Sequence, residues 1–334
     1  MKKLKVLLWI PVPFLLYWAL KDIRFRELLT NLGRLTALQV GALLAVNLLF
    51  VLILTLRWAV ILRGLGAPLG LFRLMSYRLA GYAVSYLTPG PQFGGEPLQL
   101  YLAKKKSDLG YEVGSASILL DKTFELLGNF TFLGLASLAI LPLGLLSSSG
   151  LRLAIPLTSL FIALPAAYLT AVFIGIRPLS WCMSRLPAGF LARPRIQKAE
   201  ALIQSCEART VAYCRRRRRT LLQILLFFLL VWTVSLAEMR LVLHFLKVSV
   251  TFSQTLLILA GGKFAFLLPF PGALGALELT YVGVFELLDL GAETGMSLVL
   301  YMRARDLLFA AAGLIAAFAG WKRERPVSSQ SARP

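Results

Sequence analysis

Several ionisable residues stand in stretches that are otherwise apolar: Asp121, Lys122 and Glu125 in one, Arg303, Arg305 and Asp306 in another. A charge placed in hydrocarbon costs about 2.5–3.5 kcal/mol on the lenient insertion scale, so such residues face a polar interior and mark a site. Asp121 and Glu125 are four apart and share one helix face, where carboxylates can accept a proton or hold a cation. Arg57 and Arg240 carry planar guanidinium forks suited to phosphate oxygens. Glu96 and Glu278 each follow a Pro-Gly break and would begin a helix. A plainer reading stands beside each of these. The glutamates would offset their own helix dipoles, the two arginines would reach the membrane interfaces, and the paired charges would hold a bundle together at a desolvation cost.

Other chemistry finds no support. HExxH, GxSxG, a nucleotide fingerprint and zinc spacing are all missing, so neither metal nor cofactor is expected. Gly261-Gly262-Lys263 resembles the tail of a phosphate loop but lacks the earlier glycine and a Ser or Thr after the lysine. Cys182, Cys206 and Cys214 match no zinc spacing, and the single histidine, His244, falls near the end of an apolar stretch.

The elements that must position these residues are membrane helices. Of 334 residues, 58% are hydrophobic and 16% charged, and the mean hydropathy of +0.74 exceeds what a water-soluble domain tolerates. Six stretches have the length that crosses roughly 30 Å of hydrocarbon at about 1.5 Å per residue: 6–20, 38–62, 115–146, 151–176, 220–246 and 296–321. The formal charge of +20 would suggest nucleic acid in a soluble protein. Here the basic residues cluster between the stretches and no aromatics alternate with them as stacking platforms, so no nucleic-acid partner is expected. The segment 177–219 holds eleven Lys or Arg against Glu200 and Glu207, which places it in the cytoplasm. Counting crossings outward puts both termini on that side too, in a cell (cytoplasmic) membrane. The stretch 6–20 has the basic start and apolar core of a signal peptide without a small-x-small cleavage site, and reads as a retained anchor.

An internal repeat orders the chain. Pro89-Gly90 and Glu96 recur as Pro271-Gly272 and Glu278 at one constant offset; Arg57 with Arg240, and Lys122 with Arg305, match at an offset one residue longer. Three crossings separate the copies, and an odd number inverts the second. Charge agrees. Arg63, Arg73 and Lys104-Lys105-Lys106 bracket the first break, whereas Lys247, Asp289 and Glu293 bracket the second. Each break reads as a re-entrant pair of half-helices, 71–87 with 93–103 and 252–268 with 273–290, turning at Pro89, Gly90, Gly94 and Gly95 and at Pro271, Gly272 and Gly275. Proline-kinked full spans are the alternative. The expected architecture is an all-α integral membrane protein of about six spans plus two re-entrant hairpins, in one transmembrane domain. It divides into an anchor and interfacial segment (1–37), repeat 1 (38–176), a basic loop (177–219), repeat 2 (220–321) and a tail (322–334). Helix N-termini meeting at mid-membrane from opposite sides are sites for phosphate or carboxylate.

At these residues the sequence resembles the lysylphosphatidylglycerol synthase transmembrane-region, or flippase-like, family. The likeness rests on Leu56-Arg57-Trp58, the turn from Thr88 to Glu96, Asp121-Lys122, the turn from Pro269 to Glu278, and Arg305. Lys122 stands where that resemblance leads one to expect arginine. The resemblance implies a lipid transporter that brings an anionic membrane lipid to a central site. Arg57, Arg240, Lys122 and Arg305 would meet the phosphate, with Glu96, Glu278 or Asp121 supplying a protonation site or a cation contact. An intramembrane lipid-phosphate enzyme, or a non-transporting subunit of a lipid-modifying enzyme partner, are the competing expectations. Only a short tail follows the last span, so synthesis of aminoacylated lipid by this chain alone is not expected.

Overall fold

A computed structural model describes residues 36–88, 94–107, 109–140, 148–187, 194–216 and 218–322. The anchor at 6–20, Pro89, Gly90 and Pro91 lie outside them. Among the described residues the chain is entirely helical. Its helices are α1 (Ala37–Gly64), α2 (Leu71–Leu87), α3 (Glu96–Ser107), α4 (Tyr111–Ile140), α5 (Ser148–Ile174), α6 (Pro178–Ser184), α7 (Pro194–Arg216), α8 (Arg218–Phe245), α9 (Phe252–Leu267), α10 (Ala276–Leu287) and α11 (Ala292–Lys322), with a 3₁₀ turn at Pro271–Ala273.

Local chemistry sets the helix ends. Thr36 and Gln39 form a reciprocal capping box at the start of α1, and Thr251 and Gln254 repeat it at α9, satisfying amides that would otherwise lack partners. α1 and α8 close in the same way. The Ala67 amide donates to the Leu62 carbonyl and the Gly66 amide to Arg63; Val248 donates to Leu243 and Lys247 to His244. Such a closure needs a left-handed residue after the helix, and Gly66 (φ 81°) and Lys247 (φ 61°) supply it.

By length and apolarity, α1 and residues 222–245 of α8 qualify as membrane spans, and a third span arises if Ser159–Ile174 and α6, bent by 95°, are one broken crossing. α4 and α11 run 30 and 31 residues, or about 45 Å at 1.5 Å per residue. Both carry the charges named above.

Helices α1 to α4 have 28, 17, 12 and 30 residues, and α8 to α11 have 28, 16, 12 and 31. The two series also pack reciprocally: α1 on α8, α2 on α11 and α9 on α4. α1 and α8 run antiparallel, because Asn47 connects through Tyr301 to Glu238 while Arg57, ten residues on, lies over Phe228, ten residues back. Tyr82 against Phe309 and Leu79 against Gly313 give the same sense for α2 and α11. The largest apolar core gathers Met239, Leu243, Ile258, Leu277, Tyr281 and Phe285 with Phe132 and Leu133 of α4, so packing crosses between the series.

Candidate functional site

Two turns and the long helices behind them build the site. In the second turn the backbone bends through Gly272 (φ 54°) and Ala273 (φ 52°), a left-handed conformation that costs an L-residue such as alanine about 1–2 kcal/mol. Arg303 of α11 holds it there. Its guanidinium donates to the Gly272 and Ala273 carbonyls, to the Tyr86 hydroxyl at 3.2 Å and to the Glu278 carboxylate at 2.8 and 3.0 Å. Glu278 in turn accepts the Gly275 amide at 2.8 Å, capping α10. Glu278 is buried and Arg303 nearly so.

At the start of α3 a glutamate again accepts a glycine amide, over two residues rather than three, and without the clamp. Glu96, at the start of α3, accepts the Gly94 amide at 2.7 Å, and the Gly95 amide donates to Ser85 Oγ at 2.9 Å. Its cationic partner is Lys122 Nζ at 3.6 Å, an ammonium that lies closer, at 3.0 Å, to Glu125. A Cβ on Gly95 would overlap the Gly81 carbonyl, so α2 and α3 meet there backbone to backbone.

Asp121 joins three helices. Arg57 Nε of α1 donates to its Oδ1 at 2.7 Å and Arg78 Nη2 of α2 to its Oδ2 at 2.6 Å. Glu125, one turn along the same face of α4, sits 3.7 Å from Arg57. Arg57 is 1% exposed, and burial so complete is affordable to a cation only with carboxylates on it. Across the protein a second group links α1, α8 and α11. Asn47 donates to the Tyr301 hydroxyl (2.9 Å), which donates to Glu238 (2.9 Å); Arg305 bridges Glu238 (2.9 Å) and Asp306 (2.8 Å).

Between these groups lies a cavity of about 260 Å³. Arg57, Arg78, Glu96, Lys122 and Glu125 of the first series and Glu238, Lys263, Arg305 and Asp306 of the second line it, with Trp232, Tyr281 and Leu298 among the apolar wall. The structure thus brings six of the ten expected site residues to one cavity. Asp121 stands directly behind Arg57, and Glu278 with Arg303 adjoins the wall through Tyr86. Arg240 is not with them: it is exposed on α8, and Glu238 occupies the inward position. Arg78, Glu238 and Lys263 escaped the sequence reading. The first two are charges in or beside apolar stretches, the signal that found Asp121; Lys263 was weighed only as a phosphate-loop remnant. Among the described residues no group of three His, Cys, Asp or Glu could hold a metal ion.

The sequence profile of the lysylphosphatidylglycerol synthase TM region matches residues 4–313. The chain belongs to this family. Curated relatives are similar along shorter stretches. A UPF0104 membrane protein of Pyrococcus horikoshii is 26% identical over 277 residues, covering 78% of this chain and 79% of its own. Two UPF0104 membrane proteins of Methanothermobacter thermautotrophicus are each 28% identical. One match covers 41% of this chain and 40% of the relative, the other 73% and 72%. No solved structure matches significantly. As a member of the lysylphosphatidylglycerol synthase TM family, the chain is an integral membrane protein.

Proposed function

We propose that this protein is a flippase-like lipid transporter of the cytoplasmic membrane, moving an anionic lipid or its headgroup between leaflets by alternating exposure of the central cavity. The observation that carries this reading is a charged cavity lined jointly by two helix series inside an apolar, helical protein. A reacting centre would need a free nucleophile or a poised acid and base. Here the carboxylates are instead paired with arginines of both series and with Lys122, as suits a polar group in passage. A cavity of about 260 Å³ takes a headgroup while the acyl chains stay in the bilayer.

The reciprocal packing and the antiparallel run of α1 and α8 support an inverted repeat, in which α2–α3 and α9–α10 are re-entrant pairs entering from opposite faces. Inverted repeats allow the site to open first to one side and then to the other by rocking one half against its mate. The distribution of Lys and Arg supports both termini in the cytoplasm.

Purified protein in liposomes of phosphatidylglycerol should speed headgroup translocation between leaflets over protein-free vesicles, leaving every lipid mass unchanged. A changed mass would favour the lipid-phosphate enzyme. Equal translocation in both vesicle sets would defeat transport by this chain alone and leave a subunit role beside a lipid-modifying enzyme.

A further inference from the structure

The cations around the cavity are not equivalent. Arg57 and Arg78 both bond Asp121, Lys122 bonds Glu125 and Glu96, and Arg305 bonds Glu238 and Asp306. An incoming phosphate can engage any of these strongly only by displacing a carboxylate, and breaking a buried pair is costly. Lys263 differs. It comes from α9, beside Gly262 in its apolar run, and among the described residues no carboxylate lies within ion-pair distance of it. Its Nζ donates to Asn129 Oδ1 at 3.3 Å and sits 5.3 Å from the centre of the Phe132 ring. An amide oxygen and a ring face are weak company for an ammonium, which has three donors to satisfy. They hold it in position without pairing it, and Glu125 and Glu238, which line the same cavity, act on it only from beyond ion-pair distance.

We infer that Lys263 is the anion contact of the cavity, the residue on which a phosphate ester docks, and that the paired arginines and Lys122 shape the walls. This rests on the transport reading for the source of the ester, a lipid headgroup. The helix of Lys263 supplies apolar wall beside it, Leu259, Phe266 and Leu267 lining the same cavity. A phosphate there would lose water on several sides and gain a charge-assisted bond, which is strong when desolvated. The ammonium is a point charge with three rotatable donors on a flexible stem, so it can follow a moving headgroup where a bidentate fork would fix it.

The inference is tested by native mass spectrometry of the purified protein titrated with phosphatidylglycerol, with diacylglycerol of the same chains, and with glycerol phosphate. Lys263→Met, of similar length and apolar, should weaken phosphatidylglycerol binding at least about tenfold and leave diacylglycerol binding unchanged. Lys263→Arg should restore the lipid, and Asn129→Ala, which strips only the amide acceptor, should keep it. Unchanged phosphatidylglycerol binding in Lys263→Met overturns the inference; so does equal weakening of diacylglycerol, which would make the lysine a packing element. Glycerol phosphate held by Lys263 as tightly as the lipid would reassign the site to a soluble ester and overturn the lipid assignment. Binding is read without translocation, so the two readings fail separately. A wild-type protein that binds through Lys263 but does not translocate defeats only the transport proposal, and one that translocates with Lys263→Met unaltered in binding defeats only this inference.

Discussion

After each Pro-Gly break a glutamate accepts a nearby glycine amide, but the two glutamates are held in opposite ways. Glu278 closes on Gly275 and is then locked by an arginine that also grips two carbonyls of its own turn. Glu96 closes on Gly94 and is left 23% exposed, with a lysine 3.6 Å off that it shares with Glu125. Where the second half places its strongest buried pair on the turn, the first half places it one layer away, on Asp121, tying α1, α2 and α4. The lesson is that a glutamate at the start of each half-helix is not enough to set its rigidity; the long helix that supplies its cationic partner decides it. On the transport reading this asymmetry is expected. Two inverted halves caught in one state have to differ, and the half with the looser turn is the one free to change.

Removing Asp121 is the largest perturbation available. In Asp121→Ala the Arg57 and Arg78 guanidiniums stay buried, with Glu125 at 3.7 Å as the remaining carboxylate on Arg57. Breaking a buried pair in this way costs about 3–5 kcal/mol. Thermal unfolding in detergent should show the loss, and Asp121→Asn, which keeps one acceptor, should lose less. A melting temperature unchanged by Asp121→Ala would mean that the first half is not built on this junction, and the comparison would collapse.

Glu278→Ala comes next. Arg303 would keep the Gly272 and Ala273 carbonyls and the Tyr86 hydroxyl, so the turn survives on part of its clamp, and a loss of about 1.5–3 kcal/mol is expected, the worth of hydrogen bonds to a charged group. Hydrogen exchange at Leu274 and Gly275 should rise with it, because the cap on α10 goes too. Exchange that does not respond would show the turn to be held by backbone packing alone.

Much of this was legible beforehand, and the failures have a geometric cause. Proline lacks an amide donor and glycine admits positive φ, so both breaks were readable, and the helices α2, α3, α9 and α10 begin and end within a few residues of the expected half-helices. The price of burying charge flagged Asp121, Glu125, Arg303 and Arg305, and the spacing of Asp121 and Glu125 foretold that they share a face, as their common neighbour Arg57 shows. Partners were another matter. Which guanidinium meets which carboxylate depends on helix crossings, and the repeat offset that linked Arg57 to Arg240 found the right helix but the wrong side of it. Two residues separate Arg240 from Glu238, and at 3.6 residues per turn that is about 200° of rotation. The charge that faces inward is therefore the one the offset passed over. Lys263 was hidden by motif thinking: set against a phosphate loop it failed, whereas counted as a charge in an apolar stretch it would have stood with the others.

The smallest expected effect on stability is the sharpest test of the comparison. Glu96→Ala removes one cap and one long, partly exposed pair, while Lys122 keeps Glu125 at 3.0 Å; the loss should be below about 1.5 kcal/mol, the range of a cap plus a solvent-screened ion pair. If the first turn is the part that moves, the same substitution should slow headgroup translocation in liposomes several-fold more than its stability loss accounts for, because a partner that Lys122 meets in only one state biases the equilibrium between states. Glu96→Gln separates the two contributions: it keeps an acceptor for the Gly94 amide and removes the charge. Translocation at the wild-type rate in both variants would show that the exposed glutamate is a helix cap and nothing more, and would move the search for the mobile element to the second half, where Arg303 would then have to release its carbonyls in every cycle.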